Sequence, residues 1–289
     1  MSPSPLRGVL YGHGRMGQLH AAKLVDRSDV DLTIVDPPAG WTGPVPAGLD
    51  FAIIATPTES HAAIALPLLE QGVPCLVEKP LAATAREGAL LAAYPHLSVG
   101  HVERFNPALT PLQSCRPRFL QAERLGPFSG RSTDVDVIAD LMIHDIDLAL
   151  RFMPGTVTDV RAVGVGVVTG TSDIVNARIE IQQADGTTAV ATLTASRVSR
   201  RPARTLRLVE PGTYWTVDLA RGRVQRVPWG EGGLAATEVE VPEGDALAAQ
   251  HQAFLDAVRG RGQFPCTGAE GLAAVQVADQ VRAAVKAAL

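Results

Sequence analysis

The amino-acid sequence predicts an α/β protein in two parts: a parallel sheet covered by helices, then an α+β part with an open, mostly antiparallel sheet. Apolar strands alternate with helical segments through the first hundred residues, which is typical of a parallel sheet. A glycine-rich turn joins the first strand to the first helix. From Thr156 onward the apolar residues repeat with a period of two, which indicates strands with one exposed face. We therefore expect one domain over 1–104 and a second over 105–289.

The composition argues against several classes of function. The 289 residues are 46% hydrophobic and 19% charged, an ordinary globular composition with enough apolar residues for two cores. A net charge of −4 argues against nucleic-acid binding, and no apolar run is long enough to cross a membrane. Cys75, Cys115 and Cys266 lack metal-ligand spacing and are odd in number for disulfides. Because the N-terminus also lacks a secretory pattern, we expect a cytoplasmic protein without a metal.

The first strand, Leu6–Tyr11, leads into a glycine-rich turn and then into a helix. This G-x-G-x-x-G pattern, with a strand before it and a helix after it, is typical of a Rossmann dinucleotide-binding domain. Its first glycine permits the tight turn, its second lets a pyrophosphate approach the backbone, and its third lets the helix pack on the strand. The N–H groups of the helix N-terminus favour phosphates. We expect cofactor contacts from Gly12, Gly14, Arg15, Met16 and Gly17.

The second strand, Asp31–Val35, ends in Asp36, about twenty residues after Gly17. An acidic residue at that distance accepts hydrogen bonds from the ribose hydroxyls, and no nearby Arg or Lys would hold a 2′-phosphate. We therefore expect NAD in preference to NADP. The next segment, Pro37–Leu49, is rich in Pro and Gly and has no helical period. We expect a loop there in place of the usual helix and strand, which leaves the adenine side of the pocket thin.

Polar residues follow the third strand, Asp50–Ala55, at the edge where open parallel sheets bind ligands. Thr56 and Thr58 lie there with Pro57 between them, and His61 precedes the next helix. The two threonines can face the cofactor, cap the helix, or do both.

The fourth strand ends in Glu78-Lys79-Pro80, before an Ala-rich helix and a last strand, Leu97–His101. A lysine at that point is costly to bury unless it is paired or used. Pro80 restricts Lys79 to an extended backbone or a cis peptide, so the amine would point in a fixed direction. A surface Glu–Lys pair is the alternative interpretation.

The second half contains a further candidate segment. After a helix over Pro107–Cys115 and a strand over Phe119–Arg124, a helical pattern covers Asp136–Phe152. Its polar residues share one face of an otherwise apolar helix, which favours a cavity lining over a solvated surface: Asp140, His144, Asp147 and Arg151. The Asp–His pair one turn apart is the better catalytic candidate, because a carboxylate can orient an imidazole and raise its basicity.

Strands with period two fill the rest of the second half, and two helices, Asp245–Arg259 and Thr267–Ala288, end it. An arginine cluster follows one strand and would be a solvated loop or a site for a phosphate-bearing substrate: Arg197, Arg200, Arg201 and Arg204.

Taken together, these motifs resemble the glucose–fructose oxidoreductase / inositol dehydrogenase (Gfo/Idh/MocA) family over nearly the whole chain. The resemblance rests on the glycine-rich turn with His20, on Thr56-Pro57-Thr58 with His61, on Glu78-Lys79-Pro80, and on Asp140 with His144. Val99–Pro107 and Asp140–Asp147 look like the members that oxidise the 3-hydroxyl of UDP-N-acetylglucosamine, and so does the segment Ser196–Ser199.

The resemblance implies an NAD-dependent oxidoreductase that transfers hydride at a sugar hydroxyl carbon. It implies a dinucleotide-binding first domain and a second domain for substrate and for assembly into a homodimer or homotetramer through the open sheet. The implied catalytic set is Lys79, Asp140 and His144. Further cofactor contacts are expected from Thr56, Pro57, Thr58, His61, Glu78 and Lys79, and substrate contacts from His101, Arg104, Asn106, Asp140, His144 and Arg197. Two alternatives remain: a dehydrogenase or reductase of a free sugar, inositol or other polyol, and a dinucleotide-binding module without catalysis.

Overall fold

The computed structural model describes residues 4–36, 46–130, 135–229 and 235–288. The chain forms two compact units, and the division between them is not at a single point. The first unit contains Met1–Phe105 and Asp245–Val275, and the second contains Asn106–Gly244 and Gln276–Leu289. In the sequence prediction, residues 245–275 belonged to the second domain, whereas in the structure they pack with the first unit.

The helices and strands follow the expected alternation. In chain order they are β1 (Leu6–Tyr11), α1 (Arg15–Leu24), β2 (Val30–Val35), β3 (Phe51–Ile54), α2 (His61–Glu70), β4 (Cys75–Glu78), α3 (Ala85–Ala92), β5 (Leu97–Gly100), β6 (Phe119–Leu125), α4 (Ile143–Phe152), β7 (Thr156–Val165), β8 (Ile174–Gln182), β9 (Thr188–Ser196), β10 (Ala203–Glu210), β11 (Thr213–Asp218), β12 (Arg223–Pro228), β13 (Thr237–Val239), α5 (Ala246–Val258) and α6 (Gly268–Ala287). Within these described ranges, no helix is both long and apolar enough to span a lipid bilayer.

The first unit is built on a parallel sheet. Among the described residues, five strands lie in the order β2-β1-β3-β4-β5. The strands β3, β4 and β5 are buried along their whole length, as expected for a sheet covered on both faces. Leu10, Phe51 and Leu76 of this sheet share a core with Phe254 of α5, whose ring lies edge-on to Phe51 at 6.1 Å between centroids. The predicted Rossmann-type parallel sheet is confirmed, and α5 supplies part of its core.

The second unit is built on a larger, mostly antiparallel sheet, as predicted. In the part of the chain that the structure describes, its eight strands lie in the order β13-β12-β11-β10-β6-β9-β8-β7, with only β6 and β9 parallel. Burial alternates along the strands: Val175, Ala177, Ile179 and Ile181 of β8 are buried, and the residues between them are more exposed. One face of the sheet therefore packs into the core with α4, and the other lies outward.

Three local predictions need correction. The segment that begins at Pro107 is a 3₁₀ helix that ends at Leu112, and Pro111 within it has no backbone N–H to donate. The continuous α-helix expected over Asp136–Phe152 is a π-helical turn at Ile138–Met142 followed by α4. The short strand β13 was not predicted. Most of the segment Pro37–Leu49, expected to be a loop, lies outside the described residues.

Candidate active site

The glycine-rich turn has the geometry that a dinucleotide needs. Gly12 has a φ of +95°, and a Cβ there would lie 2.6 Å from the carbonyl oxygen of Ala55. A Cβ on Gly17 would lie 1.9 Å from the carbonyl oxygen of Gly12, so only glycine lets α1 approach the turn. Gly14 is the N-cap of α1, and a Cβ there would meet no atom within 4 Å. The open space beside Gly14 at the helix N-terminus fits a pyrophosphate.

Asp36 lies beside this turn. Its Oδ1 accepts a hydrogen bond from the backbone N–H of His13 at 2.9 Å, and its side chain is exposed. The backbone N–H of Gly12 donates to the carbonyl oxygen of Val35 at 2.8 Å, which holds the turn against the end of β2. An exposed carboxylate at the end of β2, beside the glycine-rich turn, is suited to the ribose of a bound dinucleotide.

His61 ties together the ends of β3 and β4. Its Nε2 lies 3.0 Å from the carbonyl oxygen of Thr56, and its Nδ1 lies 3.0 Å from that of Pro80. The ring is 1% exposed, and burial lowers the pKa of His61. The N-cap of α2 is Ser60, whose hydroxyl donates to Thr56 Oγ1 at 2.8 Å. His61 therefore shapes the strand ends, and neither threonine is the N-cap of α2.

Lys79 follows β4 directly and is half-buried. Its backbone N–H donates to Oε2 of Glu78 at 3.2 Å, and the Lys79–Pro80 peptide is cis. Glu78 is 5% exposed, and its Oε1 accepts from Nε2 of His20 at 3.0 Å. Although burial opposes its ionisation, the hydrogen bond from His20 and the charge of Lys79 hold the pKa of Glu78 below its ordinary value. Glu78 is therefore a buried carboxylate anchored between α1 and the backbone of Lys79.

The predicted substrate residues Arg104 and Asn106 contact other parts of the protein. Arg104 forms an ion pair with Glu270 of α6, with Nη1 and Oε1 2.7 Å apart. Asn106 caps the 3₁₀ helix, because its Oδ1 accepts the N–H of Ala108 at 3.0 Å and its Nδ2 donates to the carbonyl oxygen of Leu219. His101 lies just after β5 and is 1% exposed. Whether any of them contacts substrate stays a prediction.

Asp140 and His144 lie in the second unit, and Lys79 lies in the first. Asp140 is in the π-helical turn and His144 is in the first turn of α4, and both are half-buried. The predicted polar stripe is not uniform beyond them, because Asp147 is 1% exposed whereas Arg151 is exposed. The wider π turn changes the angle between residues before and after it, so α-helical spacing does not extend back to Asp140.

A buried ion pair that was not predicted lies next to His144. Arg124 of β6 donates from Nη2 to Oδ1 of Asp145 at 2.8 Å and from Nε to Oδ2 at 3.1 Å, and both side chains are buried. The strand alternation contained a signal for it, since Arg124 has the same parity as the buried Leu120 and Ala122. A buried arginine needs a carboxylate partner, and Asp145 provides one.

The predicted arginine cluster divides into buried and exposed members. Arg197 is 6% exposed, and its Nη2 donates to the carbonyl oxygen of Val135 at 2.7 Å. Its Nε lies 3.9 Å from the carboxylate of Asp173. Arg200, Arg201 and Arg204 are exposed, as a solvated loop would leave them. The contacts of Arg197 thus favour a structural role.

A cavity of about 480 Å³ lies in the second unit and contains neither Asp140 nor His144 in its lining. Two cations of α6 line it, Arg282 and Lys286, and the guanidinium of Arg282 is held by Asp136 and Asp279. Because neither predicted catalytic residue of this unit lines the cavity, it is a weak candidate for the substrate site.

Comparison with known proteins agrees with this geometry. Residues 44–94 match a family model described as Gfo/Idh/MocA, an oxidoreductase family with an NAD-binding Rossmann fold. The chain is 36% identical to UDP-N-acetylglucosamine 3-dehydrogenase of Acidithiobacillus ferrooxidans, over 98% of this chain and 98% of that protein. The solved structure of that enzyme superposes with a TM-score of 0.84 at 35% identity, covering 99% of both chains.

More distant relatives share the fold. The rhizopine catabolism protein MocA of Rhizobium meliloti is 26% identical over 93% of this chain and 92% of its own length. A myo-inositol dehydrogenase of Corynebacterium glutamicum superposes with a TM-score of 0.74 at 19% identity, covering 98% of this chain and 97% of that one. The full-length identity to the Acidithiobacillus enzyme and the shared two-sheet architecture show that this chain belongs to the Gfo/Idh/MocA oxidoreductase family.

Proposed function

We propose that the protein is an NAD-dependent dehydrogenase that oxidises a secondary hydroxyl of a sugar, and that its substrate is a UDP-linked amino sugar oxidised at the 3-position. The observation that carries the dehydrogenase assignment is Lys79, a half-buried lysine at the carboxyl end of β4, in the same sheet edge as the glycine-rich turn. The substrate assignment rests on the 36% full-length identity to UDP-N-acetylglucosamine 3-dehydrogenase.

In this proposal the first unit holds the dinucleotide. The turn at Gly12 to Gly17 binds the pyrophosphate, with Arg15 and Met16 at the first turn of α1. Asp36 accepts hydrogen bonds from the adenosine ribose, and its negative charge repels a 2′-phosphate, which favours NAD over NADP. Thr56 to Thr58 and Glu78 line the nicotinamide side. A nicotinamide dinucleotide, when bound, takes up the hydride that leaves the substrate carbon.

The proposed chemistry of the chain is proton transfer and charge stabilisation. His144 takes the proton of the substrate hydroxyl, a role that histidine fills more often than any other side chain in enzymes. Asp140 orients the imidazole. Lys79, as a cation, stabilises the negative charge that develops on the substrate oxygen. The half-buried state of all three side chains supports this, since each is partly shielded from water and still accessible.

We also propose that the protein forms a homo-oligomer through the outward face of the large sheet. Strand register aligns one apolar row across five strands of that face: Val190, Phe119, Val209, Tyr214 and Val227. Phe119 is 38% exposed and Tyr214 is 37% exposed. An aromatic and aliphatic row of this length on a sheet face is typical of a self-association surface.

A dehydrogenase of inositol, a free sugar or another polyol is the second candidate. Several inositol 2-dehydrogenases are similar to parts of this chain, at 26–29% identity over 35–51% of its length for four of them. A dinucleotide-binding module without catalysis is the third, but such a module has no need of a shielded lysine beside the dinucleotide site.

The test is NADH formation, followed by absorbance, with purified protein and NAD across matched UDP-sugars and free polyols. UDP-N-acetylglucosamine, UDP-N-acetylgalactosamine, UDP-glucose and N-acetylglucosamine separate the roles of the 4-hydroxyl, the acetamido group and the nucleotide. Turnover with UDP-N-acetylglucosamine and not with free N-acetylglucosamine supports the proposal. Turnover on polyols alone would mean that a polyol, not a UDP-linked sugar, is the substrate. NAD binding without turnover on any compound supports the non-catalytic alternative. The same panel with NADP tests the role of Asp36.

A further inference from the structure

Two successive hydrogen bonds between buried side chains connect α5 to Glu78. His251 of α5 lies with its Nε2 2.7 Å from Nδ1 of His20 on α1. The other nitrogen of His20, Nε2, lies 3.0 Å from Oε1 of Glu78. His20 is 0% exposed and His251 is 1% exposed, so water does not compete for these contacts. The sequence analysis assigned no role to His251.

With a neutral His20, the chemistry of the three groups assigns a direction to each hydrogen bond. The Glu78 carboxylate only accepts, so Nε2 of His20 must carry the proton. Nδ1 of neutral His20 then accepts, so the donor is Nε2–H of His251. Nδ1 of His251 is left as an unprotonated acceptor, and it has no hydrogen-bond partner among the described residues. Burial and the neighbouring His20 lower the pKa of His251 to about 3, in agreement with a neutral ring.

The hydrogen-bond chain ends at the backbone of Lys79. Glu78 uses its second oxygen, Oε2, to accept the Lys79 N–H. The carboxylate is also confined by β5, because a Cβ on Gly100 would lie 2.6 Å from Oε1. Glu78 therefore has little freedom to find another donor if His20 changes its tautomer.

We propose that His20 is neutral and that His251 is a positioning residue for Lys79: by donating to Nδ1 of His20 it reinforces the Nε2–H donation that holds Glu78, and Glu78 in turn fixes the backbone from which the Lys79 amine projects. The inference rests on the proposed function for its effect on turnover, but the hydrogen-bond chain itself does not. The tautomer of a ring is a discrete state, so its selection can be measured directly.

Two substitutions separate donation from packing. In His251→Gln the side-chain NH₂ group reaches about as far as Nε2, so donation to His20 is retained. In His251→Asn the NH₂ group stops one methylene short, so donation is lost while size and polarity change little. Comparable thermal unfolding of the two variants establishes that both are folded.

The first measurement is the tautomer of His20 by long-range ¹H–¹⁵N correlation of the seven histidine rings, assigned by substitution. We expect the Nε2–H form for His20 and His251 in the wild type and in His20 of the Gln variant. In the Asn variant we expect Nδ1 of His20 to lose its donor, so that its ¹⁵N resonance shifts, and the Lys79 amide to exchange with solvent about tenfold faster. An Nδ1–H form or a doubly protonated form of His20 in the wild type would overturn the proposal, whether or not the variants fold.

The second measurement is turnover with the substrate found above. His251→Asn should lower kcat about tenfold with little change in KM for NAD, and His251→Gln should restore most of it. Equal kcat in a folded Asn variant would overturn the positioning role even where the tautomers are as expected. If no compound is turned over, the proposed function fails, and the ring tautomers and the Lys79 amide still decide the hydrogen-bond chain.

Discussion

The guanidinium of Arg124 donates two hydrogen bonds to the carboxylate of Asp145, from Nη2 to Oδ1 at 2.8 Å and from Nε to Oδ2 at 3.1 Å, and both side chains are buried. The pair joins β6 to the first turn of α4, one residue after His144. A buried charge destabilises a fold unless an opposite charge is paired with it, so each of these two residues requires the other.

Removal of one partner should therefore cost more than removal of both. Arg124→Met leaves a buried carboxylate without its cation and should lower the free energy of unfolding by about 3–5 kcal/mol. The double variant Arg124→Met, Asp145→Leu should recover most of that loss. Guanidinium unfolding of the wild type, both single variants and the double variant measures the coupling. Additive single-variant losses would mean that the pair is not coupled.

Lys79 and His144 should be needed for turnover and not for dinucleotide binding. Lys79→Met and His144→Gln should each lower kcat by about 10²–10⁴-fold, because one removes the stabilising cation and the other the proton acceptor. Titration of NAD by fluorescence should give Kd values within severalfold of the wild type. Lys286→Met, at an exposed lysine of α6, is the matched control and should retain full kcat.

Gly14 and Gly17 should fail in different ways when changed to alanine. In Gly14→Ala the new Cβ meets open space, so stability should be retained while the methyl group occupies the expected pyrophosphate position. NAD affinity should fall about tenfold or more, on the order of 1.4 kcal/mol. In Gly17→Ala the Cβ would lie 1.9 Å from a carbonyl oxygen, so the free energy of unfolding should fall by about 1–3 kcal/mol or more. Equal NAD affinity in Gly14→Ala and the wild type would mean that the turn is not part of the NAD-binding site.

Asp173 should stabilise the second unit in a pH-dependent way. Its Oδ2 accepts the backbone N–H groups of Val167, Val168 and Thr169 at 2.6–2.9 Å. Although burial opposes ionisation, these donors hold the pKa of Asp173 well below its ordinary value. The unfolded chain therefore binds a proton more readily than the folded one. The stabilisation is complete above a pH of about 4 and is lost as the pH falls through the folded pKa.

Chemical denaturation at two pH values checks this. Asp173→Asn should be less stable than the wild type at pH 7, and the difference should shrink as the pH falls below about 4. Asp31→Asn, at an exposed position on β2, is the control and should match the wild type at both values. A difference for Asp173→Asn that does not vary with pH would mean that shape, not charge, matters at this position.

The apolar row on the outward sheet face should hold the proposed oligomer together. Phe119→Lys and Tyr214→Lys place charges in the middle of that row, so each should shift the protein toward monomer in sedimentation experiments. Leu90→Lys, at a leucine of α3 that is 53% exposed, is the control and should leave the assembly unchanged. A monomeric wild type would contradict the proposal outright.

Strand positions were predictable from the sequence because sheet residues alternate in burial, and β8 to β11 follow that alternation. The glycine-rich turn was predictable for a steric reason, since no other residue fits at Gly17. The positions of the side chains around Asp140 were not predictable from an α-helical period, because the segment forms a π turn. For the same reason the buried position of Asp145 was not predicted.

Contacts between residues far apart in the sequence were also not predictable. Periodicity reveals which face of α5 is apolar but not which unit it packs on, so the contact of Phe254 with Phe51 could not be read from either segment. The same gap hid the hydrogen bond of His251 to His20, which are 231 residues apart. The contact of the Arg197 guanidinium with the carbonyl oxygen of Val135 was not predicted either, and a substrate contact of Arg197 stays a prediction.

The return of residues 245–275 to the first unit has a consequence during synthesis on the ribosome. When residue 105 has emerged, the five strands of the parallel sheet are present, but α5 is not, and the surface around Phe51 that Phe254 later covers is bare. At typical elongation rates, α5 follows on the order of ten seconds or more later, after the whole second sheet. The nascent N-terminal segment therefore has a waiting period in which its apolar surface is a target for chaperones, and final closure of its core follows emergence of the second unit.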